Sequence, residues 1–219
     1  MRIGVIARCQ NNGQSCIAAK RFLIHDEVAE EFESRFIERM SSLRIGDPMD
    51  ESTEIGPLAT EQGRTLVEEQ VADAVRKGAV VHSGGEPLEG PGWYYSPTVI
   101  SGVTPEMRIF HEEVFAPVAQ LYRVRDVDDA LRLANITEYG LGSSVWTRDP
   151  EEQERFIRDF EAGMVFVNGA TTSYPDLPFG GIKRSGYGRE LGAHGIREFC
   201  NVKTVWVSDG ASESMARSE

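Results

Sequence analysis

Cys16 lies in the run "NNGQSCIAAKRF", residues 11–22, preceded by Asn, Gly, Gln and Ser and followed by a short apolar run and two cations. A thiolate is a strong nucleophile toward carbonyl carbon, and small polar neighbours favour a tight turn whose backbone N–H groups face the sulfur. A buried free cysteine behaves instead as a small apolar residue. The residue type alone leaves proteolysis, acyl transfer, ester hydrolysis and aldehyde oxidation open. A papain-like route would also need a His with an orienting Asn or Asp, and nothing in the spacing singles one out.

The remaining chemistry-bearing patterns are sparse. His25, His82, His111 and His194 are scattered without ligand spacing, so no metal site is expected. "SGYGRELG" spaces its glycines as G-x-G-x-x-x-G, follows no apparent strand, and does not fit a dinucleotide fingerprint. Cys9, Cys16 and Cys200 form no C-x-x-C pair, and no secretory leader is apparent, so reduced thiols and a cytoplasmic location are expected. The net charge of −12 and the absence of a basic stripe argue against nucleic acid. No apolar run is long enough to span a membrane.

These residues need a scaffold, and the hydrophobic periodicity supplies one. "RFLIH" (21–25) and "PVAQLYRV" (117–124) read as strands, as do "AVVHSGG" (79–85), the stretch around 97–100, "GSSVWT" (142–147) and a buried "GMVFVNG" (163–169). Between them, Val28, Phe32, Phe36, Met40 and Leu43 recur at helical spacing, with Asp26 as the expected N-cap. Leu66, Val67, Gln70, Val71, Ala74 and Val75 mark the inward face of a second helix that stops at Gly78. Helices are also expected over 126–137, with an acidic start, and over 149–162, with Pro150 in the first turn. Alternating strands and helices predict an α/β fold with a largely parallel sheet. "VKTVWV" (202–207) reads as a last strand, and residues 209–219 as a disordered tail.

Five segments in fixed order now make a resemblance. "NNGQSCIAAKRF" resembles the catalytic cysteine segment of the aldehyde dehydrogenase superfamily. "EEVFAPV" (112–118) resembles its Glu-x-Phe-Gly-Pro motif, with Ala116 in place of glycine, and "PFGGIKRSGYGRELG" (178–192) resembles its C-terminal signature. The pair "IGDP" (45–48) and "IGPL" (55–58), and "YGLGSSVWTRD" (139–149), match as well. Within the superfamily the likeness is greatest to the succinate-semialdehyde dehydrogenase group.

The resemblance implies a three-layer catalytic domain over 8–198, a C-terminal bridging strand over 199–208 that serves oligomerisation, and NAD or NADP as cofactor. It implies that Cys16 attacks a small-molecule aldehyde to give a thiohemiacetal and then a thioester, that Glu113 holds the nicotinamide ribose, and that Phe115 packs on the ring. Glu190 matches a carboxylate that relays protons from the deacylating water; a structural pairing with Arg189 is the alternative. Ser173 matches a serine that binds the substrate carboxylate. Gln10 stands where the succinate-semialdehyde enzymes carry an arginine for that carboxylate, and Arg8 is a candidate to replace it. The family's dinucleotide-binding domain, general base and oxyanion-hole asparagine precede the catalytic cysteine and have no counterpart in the fifteen residues before Cys16. Activity is therefore expected only with that missing part, and the partners expected are copies of this chain or a full-length relative. The other reading is a non-catalytic module that pairs with such a relative.

Overall fold

The computed structural model describes residues 2–208. Its centre is a four-stranded sheet ordered β1 (Arg21–His25), β4 (Val118–Val124), β3 (Thr98–Ser101), β2 (Val80–Ser83). β4 pairs parallel with both β1 and β3, and β2 joins antiparallel at the edge.

Successive side chains of β4 alternate between two cores, as a period of two requires. Ala119 and Leu121 join Val5, Ile24, Phe36 and Met40 beneath helices α1 (Arg2–Cys9) and α2 (Asp26–Ser41). Val118 and Tyr122 join Val67, Val71, Tyr95 and Ile109 on the opposite face, beneath α3 (Glu61–Arg76) and the short α4 (Arg108–His111). The result is the expected three-layer α/β arrangement with mostly parallel pairings.

The second half is smaller. α5 (Val127–Asn135) packs on β4, and α6 (Pro150–Asp159) packs on α5 and β7. β6 (Gly142–Val145) and β7 (Met164–Val167) pair in parallel, while β5 (Tyr139–Gly140) and β8 (Ile182–Lys183) pair antiparallel. Side-chain caps form at α5, where Asp126 accepts from the Asp129 N–H at 2.8 Å, and at α6, where Asp149 accepts from the Glu151 N–H at 2.9 Å. Gly78 follows α3 with φ of +101°.

Several expectations are corrected. His25, not Asp26, caps α2: its ring nitrogen accepts from the Glu27 N–H, and Asp26 becomes the first helical residue. Val28, Leu66 and Val75 lie outside the buried stripe and are exposed. β7 is buried only at Met164. α1 was not foreseen. The segment after α7 (Gly192–Glu198) forms no strand: residues 201–208 have no regular secondary structure. A strand exists only where a neighbouring strand takes up its backbone groups. The tail expected over 209–219 lies outside the described residues.

Candidate functional site

The turn before Cys16 is built from three left-handed residues in a row. Asn11 (φ 49°), Asn12 (φ 56°) and Gly13 (φ 77°) reverse the chain after α1, and asparagine and glycine tolerate that region best. Gly13 is also sterically required, since a Cβ there would meet the Ala116 carbonyl oxygen at 2.3 Å. Asn12 ties the turn to the 55–58 loop: its Oδ1 accepts from the Gly56 N–H at 3.0 Å and its amide donates to the Pro57 carbonyl at 3.2 Å.

Cys16 is exposed at the tip of this turn. Among the described residues no hydrogen bond takes up its backbone N–H, and no His or carboxylate bonds its sulfur. The N–H is thus free to donate to an oxygen on a carbon attached to the thiol.

β1 and β4 run in parallel with Arg21 opposite Gln120, so the segments preceding both strands emerge at one edge. There Lys20 meets the 112–118 segment. Its Nζ lies 2.9 Å from Glu113 Oε1 and 5.4 Å from the centre of the Phe115 ring. The same ammonium donates to the carbonyls of Ser15 (3.0 Å), Cys16 (3.2 Å) and Ala18 (3.1 Å). Burial and the neighbouring Arg8 push the Lys20 ammonium below its ordinary range, and Glu113 opposes them.

Glu113 is held from behind by α3. Gln70, fully buried, donates through its amide to the Glu113 carbonyl at 3.3 Å and to Glu112 Oε2 at 3.0 Å. Arg108 binds both oxygens of Glu112 and holds that carboxyl below its usual range. Beside Phe115 a cleft of about 420 Å3 opens, lined by Asn11, Asn12, Gln14, Pro57 and Ala59. A half-exposed carboxylate next to an exposed aromatic ring at the mouth of a cleft suits a ribose and a flat heterocycle.

The structure therefore brings Cys16, Glu113 and Phe115 to one edge. Gln10 belongs there too, since its amide donates to the Ser15 hydroxyl at 3.2 Å. Ser173 and Glu190 do not: both are exposed on the 168–192 stretch, and no hydrogen bond or ion pair among the described residues links them to the turn. The alternative pairing of Glu190 is not formed, because the Arg189 guanidinium turns to the carbonyls of Gly181 and Gly188. Arg8 cannot replace the missing substrate arginine. It is fully buried, and its guanidinium donates inward to the carbonyls of Gly13 and Val118.

Lys20, Asn12 and Gln70 escaped the reading of the sequence as site residues. The small polar residues before Cys16 did signal a tight turn, but nothing local pairs Lys20 with a carboxylate on a distant segment.

This arrangement has close parallels. The aldehyde dehydrogenase family pattern matches residues 1–205. Succinate-semialdehyde dehydrogenase (NADP+) 1 of Mycobacterium ulcerans is 62% identical over 203 residues, covering 93% of this chain and 44% of the relative. The corresponding enzyme of Mycobacterium avium is 56% identical over 214 residues, covering 98% of the chain and 45% of the relative. The crystal structure of succinic semialdehyde dehydrogenase from Streptococcus pyogenes with NADP+ superposes with a TM-score of 0.90 at 36% identity, covering 94% of this chain and 45% of the other. The chain thus spans a little under half the length of the curated relatives it matches. Over that span, in sequence and in fold, it belongs to the aldehyde dehydrogenase family.

Proposed function

We propose that this chain is the catalytic part of an NADP- or NAD-dependent aldehyde dehydrogenase, with succinic semialdehyde as the leading substrate. The observation that carries the reading is the exposed Cys16 thiol on a turn with a free N–H, set beside Glu113 and Phe115. The Cys16 thiolate adds to the aldehyde carbon, forming the C–S bond of a thiohemiacetal while the carbonyl oxygen takes the negative charge. The N–H of Cys16 donates to that oxygen. A nicotinamide dinucleotide, when bound, supplies the hydride acceptor that converts the thiohemiacetal to a thioester. Water then cleaves the thioester to the acid and returns the thiol. Glu113 would accept from ribose hydroxyls and Phe115 would pack on the ring. The names of the relatives favour NADP.

Glu190 is kept as the proton relay and Ser173 as a contact to the substrate carboxylate, which requires the 168–192 stretch to face the turn in the active assembly. Gln10 can offer that carboxylate only a neutral hydrogen bond. The base that activates water is proposed to come from the part of the relatives that this chain does not cover, a little over half their length. The domain division proposed is a catalytic domain over 8–198 and a bridging segment over 199–208. Exposure of Val202, Val205, Trp206 and Val207 favours a second reading, in which the chain acts by pairing with a longer relative.

The test is peptide-resolved alkylation with iodoacetamide, followed by assay of NADPH formation from succinic semialdehyde. Cys16 is expected to react well ahead of Cys200. Turnover is expected when the chain is combined with the N-terminal portion of the Mycobacterium ulcerans relative, and not from the 219 residues alone. Turnover that survives Cys16→Ala would overturn the assignment.

A further inference from the structure

We propose that Lys20 is the positioning residue of this site: its single ammonium ties the nucleophile turn to the Glu113 carboxylate and so fixes the thiol relative to the cofactor wall. The proposal rests on the reading of Cys16 and Glu113 given above.

The geometry is convergent. An ammonium has three protons and no acceptor. Four oxygens lie within 3.2 Å of Nζ: the carbonyls of Ser15, Cys16 and Ala18, and Oε1 of Glu113. Upstream, Arg8 and Asn12 hold residues 12 and 13; from Ser15 to Ala18 the internal backbone bond is Ala18 N–H to the Ser15 carbonyl. Three carbonyls aimed at one point repel one another unless a cation sits there. A compact tetrahedral head can address oxygens arriving from several directions, whereas a planar guanidinium fork cannot.

Charge makes the arrangement conditional on Glu113. The titratable groups facing Lys20 are Arg8, Glu113 and Cys16. Arg8 is a like charge at the end of α1, fixed to the Gly13 carbonyl of the turn. Glu113 therefore offsets two cations, and the Phe115 face adds a weaker attraction from the side. A Cys16 thiolate would share the same ammonium, so Lys20 links the charge of the nucleophile to the seat of the cofactor.

The test uses the 219-residue chain with Lys20→Met and Lys20→Arg, read by hydrogen exchange and by the rate of Cys16 alkylation at fixed pH. In Lys20→Met, exchange should rise about ten-fold in peptides covering 10–20 and 110–117, distant in sequence, and stay unchanged elsewhere. The Cys16 alkylation rate should also fall, and Lys20→Arg should restore it through its charge while leaving 10–20 loose. Unchanged exchange in either peptide, or an unmoved alkylation rate, overturns the proposal. Should Lys20→Met exchange throughout, Glu113→Gln takes its place; it should loosen the same two peptides alone, and no change there also overturns the proposal. If unsubstituted Cys16 reacts no faster than Cys200 while the exchange results hold, the functional reading fails and the tie stands.

Discussion

The Arg8 guanidinium donates to the carbonyl oxygen of Gly13 at 2.7 Å from a fully buried position, and reaches the Val118 carbonyl at 3.3 Å. One side chain thereby joins α1, the turn before Cys16 and the start of β4. Burial pushes the guanidinium down to about 10. Arg8→Met keeps most of the packing but leaves both carbonyls without their donor. It should cost about 2–4 kcal/mol in urea unfolding. Arg8→Lys should recover part of that through one of the two bonds. A loss below about 0.5 kcal/mol in Arg8→Met would show that water replaces the guanidinium at no cost.

Gly13 and Gly78 both have positive φ but differ in their surroundings. A Cβ on Gly13 would press on the Ala116 backbone, whereas a Cβ on Gly78 has nothing within 4 Å. Gly78→Ala should therefore cost only the backbone term, about 1–2 kcal/mol. Gly13→Ala should cost about 3 kcal/mol or more, because backbone must move. Thermal melts of the two variants check the ordering. Equal melting temperatures would mean that the 116–117 segment yields freely.

The contrast between those glycines shows what a sequence carries and what it withholds. Positive φ was legible at Gly78 from the end of the α3 pattern, and small polar residues marked the turn before Cys16. β1 and β4 were legible from apolar runs, and α2 and α3 from their spacing. Val28, Leu66 and Val75 were misplaced because a helix on a sheet buries a narrow stripe, and the residues flanking it stay in solvent. Lys20 was hidden for a different reason. Its partner Glu113 is fixed by the parallel pairing of β1 with β4, a long-range fact with no local trace. Cys16 stood out from its own flanks, Glu113 and Phe115 came from a family resemblance, and Lys20 reaches all three. Ser173 and Glu190 came from the same resemblance, but among the described residues no bond joins them to the turn.

Cys9 provides a pH test of the layer beneath the turn. Its thiol lies 3.7 Å from the Met40 sulfur, and burial raises it from 9.0 to about 11, against the opposing pull of Arg8. Between those values the folded chain holds a proton that the unfolded chain has lost. Stability is therefore intact below pH 9 and falls as pH rises to about 11, by about 3 kcal/mol. Arg8, displaced downward, acts in the opposite sense above pH of about 10, so the comparison must be made between variants. In Cys9→Ala the decline should be shallower than in the unsubstituted chain over this window. Parallel urea midpoints in both chains would place the Cys9 thiol in contact with solvent.

Among the described residues, the segment after α7 carries apolar side chains with no strand partner. Val202, Val205, Trp206 and Val207 are all more than two-thirds exposed, at 97%, 75%, 82% and 84%. Such an apolar stretch is suited to extend a sheet edge on another chain. Sedimentation of the 219-residue chain should show concentration-dependent association. The double exchange Val205→Glu with Val207→Glu should abolish it, because carboxylates cannot enter a dry intermolecular edge without a partner. Circular dichroism should be unchanged, since no core residue is touched. If both chains sediment alike as monomers, the bridging role of 199–208 fails, and with it the reading in which this chain works by pairing with a relative through that segment.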